Sequence, residues 1–163
     1  MRASTIPSVP VRHQRGLAIV EFVIVMPLVL FVLIATAEIG RALYQYTALT
    51  KAVRDGARFL ADQGDGSTGI PVLDNTDLTR ARNLTVFGNI NGTGTAILPG
   101  FVVGNVTAQR VTSGGTATEY VRVTATYNFQ ALFVPIPGLG MGTSNVNAVT
   151  TLTATATQRT LKV

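Results

Sequence analysis

Cysteine is absent from the 163-residue chain, which excludes a disulfide framework, a thiolate zinc site and a cysteine nucleophile. Histidine occurs once, as His13. It precedes a long apolar run, so any form that begins after it has no imidazole, and histidine-based acid/base chemistry, the usual acyl-transfer triads and most transition-metal sites lose their ligands. Charge is scarce as well: charged residues make up 13% and hydrophobic ones 47%, with a mean hydropathy of +0.36. That balance fits neither a disordered tail nor an ordinary soluble domain with a charged surface. Part of the chain belongs in a membrane, and the length suits one domain with a modest core.

Acidic residues are missing from the first stretch of the chain. The net charge is +5 and the pI about 10.2, a balance that raises the question of nucleic acid. Three of the 13 basic residues (Arg2, Arg12, Arg15) precede the apolar run and all 8 acids follow its start, leaving 10 against 8, or +2, from residue 17 onward. That is an ordinary surface charge, and no nucleic-acid partner is expected.

What is present in abundance is the run LAIVEFVIVMPLVLFVLIATA, residues 17–37, in which Glu21 is the only charge. At ~1.5 Å per helical residue it spans about 31 Å, the thickness of a bilayer's hydrocarbon core. It reads as a transmembrane helix. A cleaved secretory signal would stop sooner and end at a small-residue site. Three arginines lie before the span, against Arg41, Lys51, Arg54 and Arg58 soon after it, so charge alone does not orient it.

Helical character continues through residues 38–62, where Ile39, Tyr46, Val53 and Leu60 recur every seven residues with Ala42 and Leu49 between them. They form one apolar stripe that needs a cover, with Arg41, Lys51, Arg54, Asp55 and Arg58 on the other, wet faces. Pro27 lacks a backbone donor and crowds the Val23 carbonyl, which predicts a kink or a melted turn. Residues 1–16 stand apart as a basic leader.

Composition changes at residue 63. Residues 64–71, GDGSTGIP, read as a linker. A G-x-G-x-x-G match there (Gly64, Gly66, Gly69) follows a helix rather than a strand and is a chance match. A short helix over 74–84, capped by Asp74 or Asn75, is followed by a loop over 89–100. Three strands then follow, over 101–111, 120–129 and 146–158. In the second, Val121, Val123, Ala125, Tyr127 and Phe129 alternate with polar residues. Residues 113–115 (Ser-Gly-Gly) connect the first two as a hairpin. The predicted fold is α+β: a long N-terminal transmembrane helix that continues as an amphipathic helix and packs on a small antiparallel meander, within a strand-rich domain over 63–163. The loop after the second strand holds Pro135, Ile136, Pro137 and Leu139 with few polar side chains. It either folds over one end of the sheet or is a contact loop stiffened by its prolines.

The ordered set Gly16, Glu21, Phe22, Pro27, Glu38, Gly40, Arg41 and Arg54-Asp55-Gly56-Ala57-Arg58 resembles the TadE-like pseudopilin family of the tight-adherence (Tad/Flp) pilus machinery. The resemblance implies a bacterial minor pilin-like subunit in the inner membrane, with a cytoplasmic N-terminus and an extracytoplasmic C-terminal domain. Its implied partners are other pilin or pseudopilin subunits, Tad assembly proteins and a prepilin peptidase that cuts between Gly16 and Leu17. Enzymatic activity and cofactors are not implied.

The residues make sense of these expectations. Gly16 lets an extended peptide approach a protease closely, while Arg12 and Arg15 hold the leader at an anionic surface. Cleavage frees an amine at Leu17, and Glu21, one turn into the helix, either pairs with a neighbouring subunit's amine or reaches headgroups by snorkelling. Asp62, Asp65, Asp74 and Asp77 flank the linker but contain no calcium-loop spacing, so they read as a solvated loop. The alternative to a pilus subunit is an unprocessed single-span protein that presents its β-rich domain as a binding module.

Overall fold

The computed structural model describes residues 14–63, 74–112, 118–130 and 149–159. The elements are α1 (Gln14–Asp62), α2 (Asn75–Phe87), a 3-10 turn (Val103–Asn105), β1 (Val106–Thr112), β2 (Thr118–Gln130) and β3 (Val149–Arg159). Two compact units are distinguished, Met1–Ile39 and Gly40–Val163, here called the anchor and the head.

Within the anchor, α1 presents its large apolar side chains outward. Leu17, Ile19, Phe22, Ile24, Leu28 and Leu33 are all exposed, the state of a helix whose cover is lipid or other helices. The hydroxyl of Thr36 donates to the Val32 carbonyl at 2.8 Å, so this polar group is satisfied inside the helix. Pro27 lies inside α1 and the helical pattern runs through it without a melted turn. The proline removes one hydrogen bond, and the uninterrupted turns on both sides hold the segment.

The head is an α+β unit built on a three-stranded antiparallel meander in the order β1-β2-β3. The predicted alternation is realised: Val121, Val123, Ala125, Tyr127 and Phe129 are buried, and the residues between them face out. Across the sheet Val106, Ala125 and Ala154 form one row and Ala108, Val123 and Ala156 the next. The alanines in each row leave room for close helix packing. Leu49, Val53, Ala57 and Leu60 of α1 join this face in one buried core, together with Ala81, Val86, Leu98 and Phe101. On the outer face Thr124 and Thr155 are hydroxyl-to-hydroxyl neighbours at 3.1 Å.

The apolar stripe on α1 differs from the seven-residue expectation. Leu49, Val53 and Leu60 are buried as expected, but Ile39 is 62% and Tyr46 44% exposed, and the residue that turns inward is Gln45 at 8%. A repeat of seven only approximates a helix of 3.6 residues per turn, and the buried face at that level is set by what lies opposite. Gln45, 100° around the helix from Tyr46, faces the cover.

α2 runs three residues beyond its predicted end. Asp74 caps it in a reciprocal capping box with Asp77, its Oδ1 accepting from Asn75 N at 2.6 Å. At the other end Gly88, at φ +71°, donates its N–H to the Leu84 carbonyl at 2.9 Å, a left-handed cap that glycine adopts without strain. β1 begins five residues later than predicted. The N–H of Asn105 donates to the Val102 carbonyl at 2.9 Å, closing a 3-10 turn, and Phe101 is drawn into the core, its ring edge-on to Tyr127 at 6.0 Å. The hairpin loop at 113–115 and the loop with Pro135, Ile136, Pro137 and Leu139 lie outside the described residues.

Candidate functional site

The family-type residues fall at three levels along α1. At the first, Gly16 and Leu17 lie in the opening turn of the helix, not in the extended chain expected for a protease substrate. The first four N–H groups of a helix have no intrahelical partner, so this turn opens at little cost. Glu21 and Phe22 are exposed one turn further on. Among the described residues Glu21 has no hydrogen-bond or ion-pair partner, so its carboxylate is presented to whatever surrounds the anchor. Pro27 is likewise on exposed helix.

At the second level, Glu38, Gly40 and Arg41 follow the apolar run. Arg41 is not on a wet face. Its Nη2 donates to the Gln130 carbonyl at the end of β2, and its guanidinium carbon lies 4.7 Å from the centre of the Phe129 ring. A cation over an aromatic face is attracted by the ring quadrupole, so Arg41 fastens the start of the head's helix to the last residues of the central strand. Tyr127 is the third member of this cluster. Burial pushes its hydroxyl above the usual tyrosine range and the Arg41 charge pulls it partly back, leaving a protonated donor that bonds to the Pro99 carbonyl at 3.0 Å. Beside them opens a cleft of about 440 Å³ lined by Arg41, Gln45, Asn105, Tyr127, Asn128 and Gln130, with Pro99 and Gly100 at its edge.

At the third level lies Arg54-Asp55-Gly56-Ala57-Arg58. Arg54, Asp55 and Arg58 are exposed, while Gly56 and Ala57 are buried. A Cβ on Gly56 would land on Thr85 Oγ1 and come 3.2 Å from the Ala81 carbonyl oxygen. Thr85 is itself fully buried, its hydroxyl donating to that same carbonyl at 2.8 Å. Glycine here is what lets α2 approach α1.

The three levels share one pattern: an outward apolar helix with a lone carboxylate, an arginine latch, and a glycine contact beneath flanking charges. Residues 16–58 match the family described as TadE-like protein. The chain carries a TadE-like helix. The match runs from Gly16 to Arg58 and so takes in all three levels. No curated protein and no solved structure gives a significant match to the chain. The similarity is confined to that segment, 43 of the 163 residues. The helix from Gly16 is long and apolar enough to cross a membrane, and the two findings together describe a membrane-anchored protein.

Among the described residues no cluster of three or more His, Cys, Asp or Glu is placed to hold a metal. Sequence reading missed Gln45, Thr85 and the Phe129–Gln130 end of β2 as partners of the TadE-like residues. Gln45 carried a signal: it stands four residues before Leu49 and eight before Val53, in an apolar register. Nothing local in the sequence marked Thr85.

Proposed function

We propose that the protein is a minor pilin-like structural subunit of a Tad/Flp-type pilus assembly system. Its leader, residues 1–16, is removed by a prepilin peptidase, the N-terminus faces the cytoplasm, and the head stands outside the inner membrane. The partners are other pilin or pseudopilin subunits and the assembly proteins that handle them. The TadE-like match over Gly16 to Arg58 carries this reading. The fold supports it: within the TadE-like segment the large apolar side chains face outward up to residue 39, whereas from Gln45 onward one face of the helix, with Gln45, Leu49, Val53 and Ala57, is buried in a head of its own chain. A subunit built that way offers its anchor to neighbours and keeps its head intact.

Glu21 is the assembly determinant in this reading. A carboxylate in hydrocarbon costs several kcal/mol unless it is paired, and the amine freed at Leu17 of an adjacent subunit supplies the partner. Glu21→Gln keeps the shape and removes the charge. The expected result is normal or improved membrane insertion with loss of association with pilus components, read by co-purification from cells. Full association of the Gln variant would contradict the pairing and favour a carboxylate that snorkels to headgroups.

A further inference from the structure

The outer face of the sheet has a composition of its own. Its described outward side chains are exposed or half-buried: rows of threonines, carboxamides such as Gln109 and Asn128, one aromatic, Tyr120, and two arginines, Arg122 and Arg159, with no carboxylate among them. Threonine suits any strand, but the sheet itself gains nothing from the charges. The register sets Arg122 opposite Thr157 and Arg159 opposite Tyr120, so the arginines are diagonal neighbours about 7–8 Å apart, within reach of each other's long side chains. Two like charges so placed repel, and neither has an ion-pair partner among the described residues. Arg122 turns its Nε to the Thr157 hydroxyl at 3.4 Å, which leaves the terminal nitrogens of its guanidinium for another acceptor. An anion between the arginines removes the repulsion.

Shape and composition narrow the class of that anion. From Thr151 to Arg159 the face runs about 27 Å, and its three strands make it about 10 Å wide. It is an open strip rather than an enclosure, so affinity comes from contacts repeated along a chain. A peptide adds to a sheet through main-chain bonds at its edge, and a folded partner needs a centre of apolar anchors. Here the apolar bodies are Val111 and Tyr120, paired at one end. Single-stranded nucleic acid needs a series of aromatic platforms, and the described face offers Tyr120 alone. Many neutral hydroxyls and amides with two cations and one ring suit a polymer rich in hydroxyls that carries spaced carboxylates.

We propose that this face binds an acidic polysaccharide of the uronic-acid class, with a carboxylate bridging Arg122 and Arg159, a sugar ring on Tyr120 and ring hydroxyls exchanging hydrogen bonds with the threonine rows. A guanidinium recognises a carboxylate through two parallel N–H bonds, and the threonines have capacity to spare. Thr124 and Thr155 share one hydrogen bond at 3.1 Å, whereas each hydroxyl both donates and accepts. The inference concerns the head alone and is independent of processing and pilus assembly.

The test uses the full chain in alkyl maltoside micelles at physiological ionic strength, where long-range attraction is screened. Calorimetric titration compares sodium polygalacturonate, the same polymer methyl-esterified, and oligothymidylate. Polygalacturonate is expected to bind saturably and the ester about tenfold more weakly, the scale of one charge-assisted hydrogen bond. Arg122→Gln combined with Arg159→Gln is expected to weaken polygalacturonate about tenfold or more, and the exposed Arg159→Gln alone severalfold. Thr155→Val with Thr157→Val keeps the branched shape, removes two hydroxyls and is expected to weaken it severalfold as well. Lys51→Gln with Arg54→Gln removes two exposed charges from α1 and is expected to leave the affinity unchanged. Absence of saturable binding overturns the assignment, as does unchanged affinity in both arginine variants. An equal loss in the α1 variant overturns it by showing that net charge alone attracts the polymer. Full binding by the threonine variant overturns it in favour of a bare anion site, and oligothymidylate binding as tightly as polygalacturonate overturns it in favour of nucleic acid. None of these failures bears on whether the protein is processed at Leu17, which is read separately from its mature N-terminus.

Discussion

Alanine at position 56 measures how much of the TadE-like motif is a packing requirement. In an isolated helix the change would gain about 1 kcal/mol, because glycine is the weaker helix former. In the head the new Cβ meets Thr85 Oγ1 and sits 3.2 Å from the Ala81 carbonyl oxygen. Thr85 is fully buried and its hydroxyl is held by that carbonyl at 2.8 Å, so turning it away breaks a bond worth about 1 kcal/mol. Shifting α2 instead brings the usual overpacking cost of about 1–3 kcal/mol. After the helix-propensity gain is subtracted, the net expectation for Gly56→Ala is a loss of up to about 2 kcal/mol, or up to roughly 8 °C in the Tm of a head of this size. Near-ultraviolet circular dichroism of the full chain in micelles follows the head through its tyrosines without requiring the anchor helix to melt. In a Thr85→Ala background the severest of these contacts is gone, and the same glycine-to-alanine change costs less or becomes stabilising, a coupling of about 1 kcal/mol. A Gly56→Ala protein that melts above the parent's temperature, showing the helix-propensity gain unopposed, would refute the close contact between α1 and α2.

Two further substitutions probe the head. Arg41→Met removes the cation over Phe129 and the bond to the Gln130 carbonyl, which is expected to cost about 1–2 kcal/mol. Arg41→Lys should recover less than half of this because an ammonium lacks the planar fork, and an unchanged melting temperature for the Met variant would show that the latch holds nothing. Asp74→Ala removes the capping box of α2 at about 1 kcal/mol, with most of it restored by Asp74→Asn. Amide exchange over residues 75–77 reads the fraying directly, and unchanged protection would contradict the cap's role.

How far the sequence alone carries depends on whether the deciding physics is local. The anchor is settled by composition, since 21 positions with Glu21 as the only charge have few other places to go. The sheet is settled by alternation in β2, and the pairing of its first two strands by the short connection between them. The start of α2 is likewise written in the choice of Asp74 or Asn75 as its cap, of which the structure uses Asp74. Arg41 and Gln45 are different. A charged residue just after an apolar run reads as solvated, and only the end of β2, some ninety residues away in the chain, turns it into a latch. Gly56 was recognised by its place in the motif, but the reason for glycine is Thr85 on another helix. The start of β1 was misplaced because Phe101 and Val102 suit a strand, whereas a 3-10 turn and the pull of Tyr127 on Phe101 decide the local path.

The central claim is that this TadE-like helix is the first segment of a mature pilin-like subunit. Mass spectrometry of the N-terminal peptide of the protein, isolated from cells with an active prepilin peptidase, tests it most directly. The account predicts a mature chain that begins at Leu17, and a bulky residue in place of Gly16 should leave only the precursor. Recovery of the native protein uncleaved from such cells would contradict it.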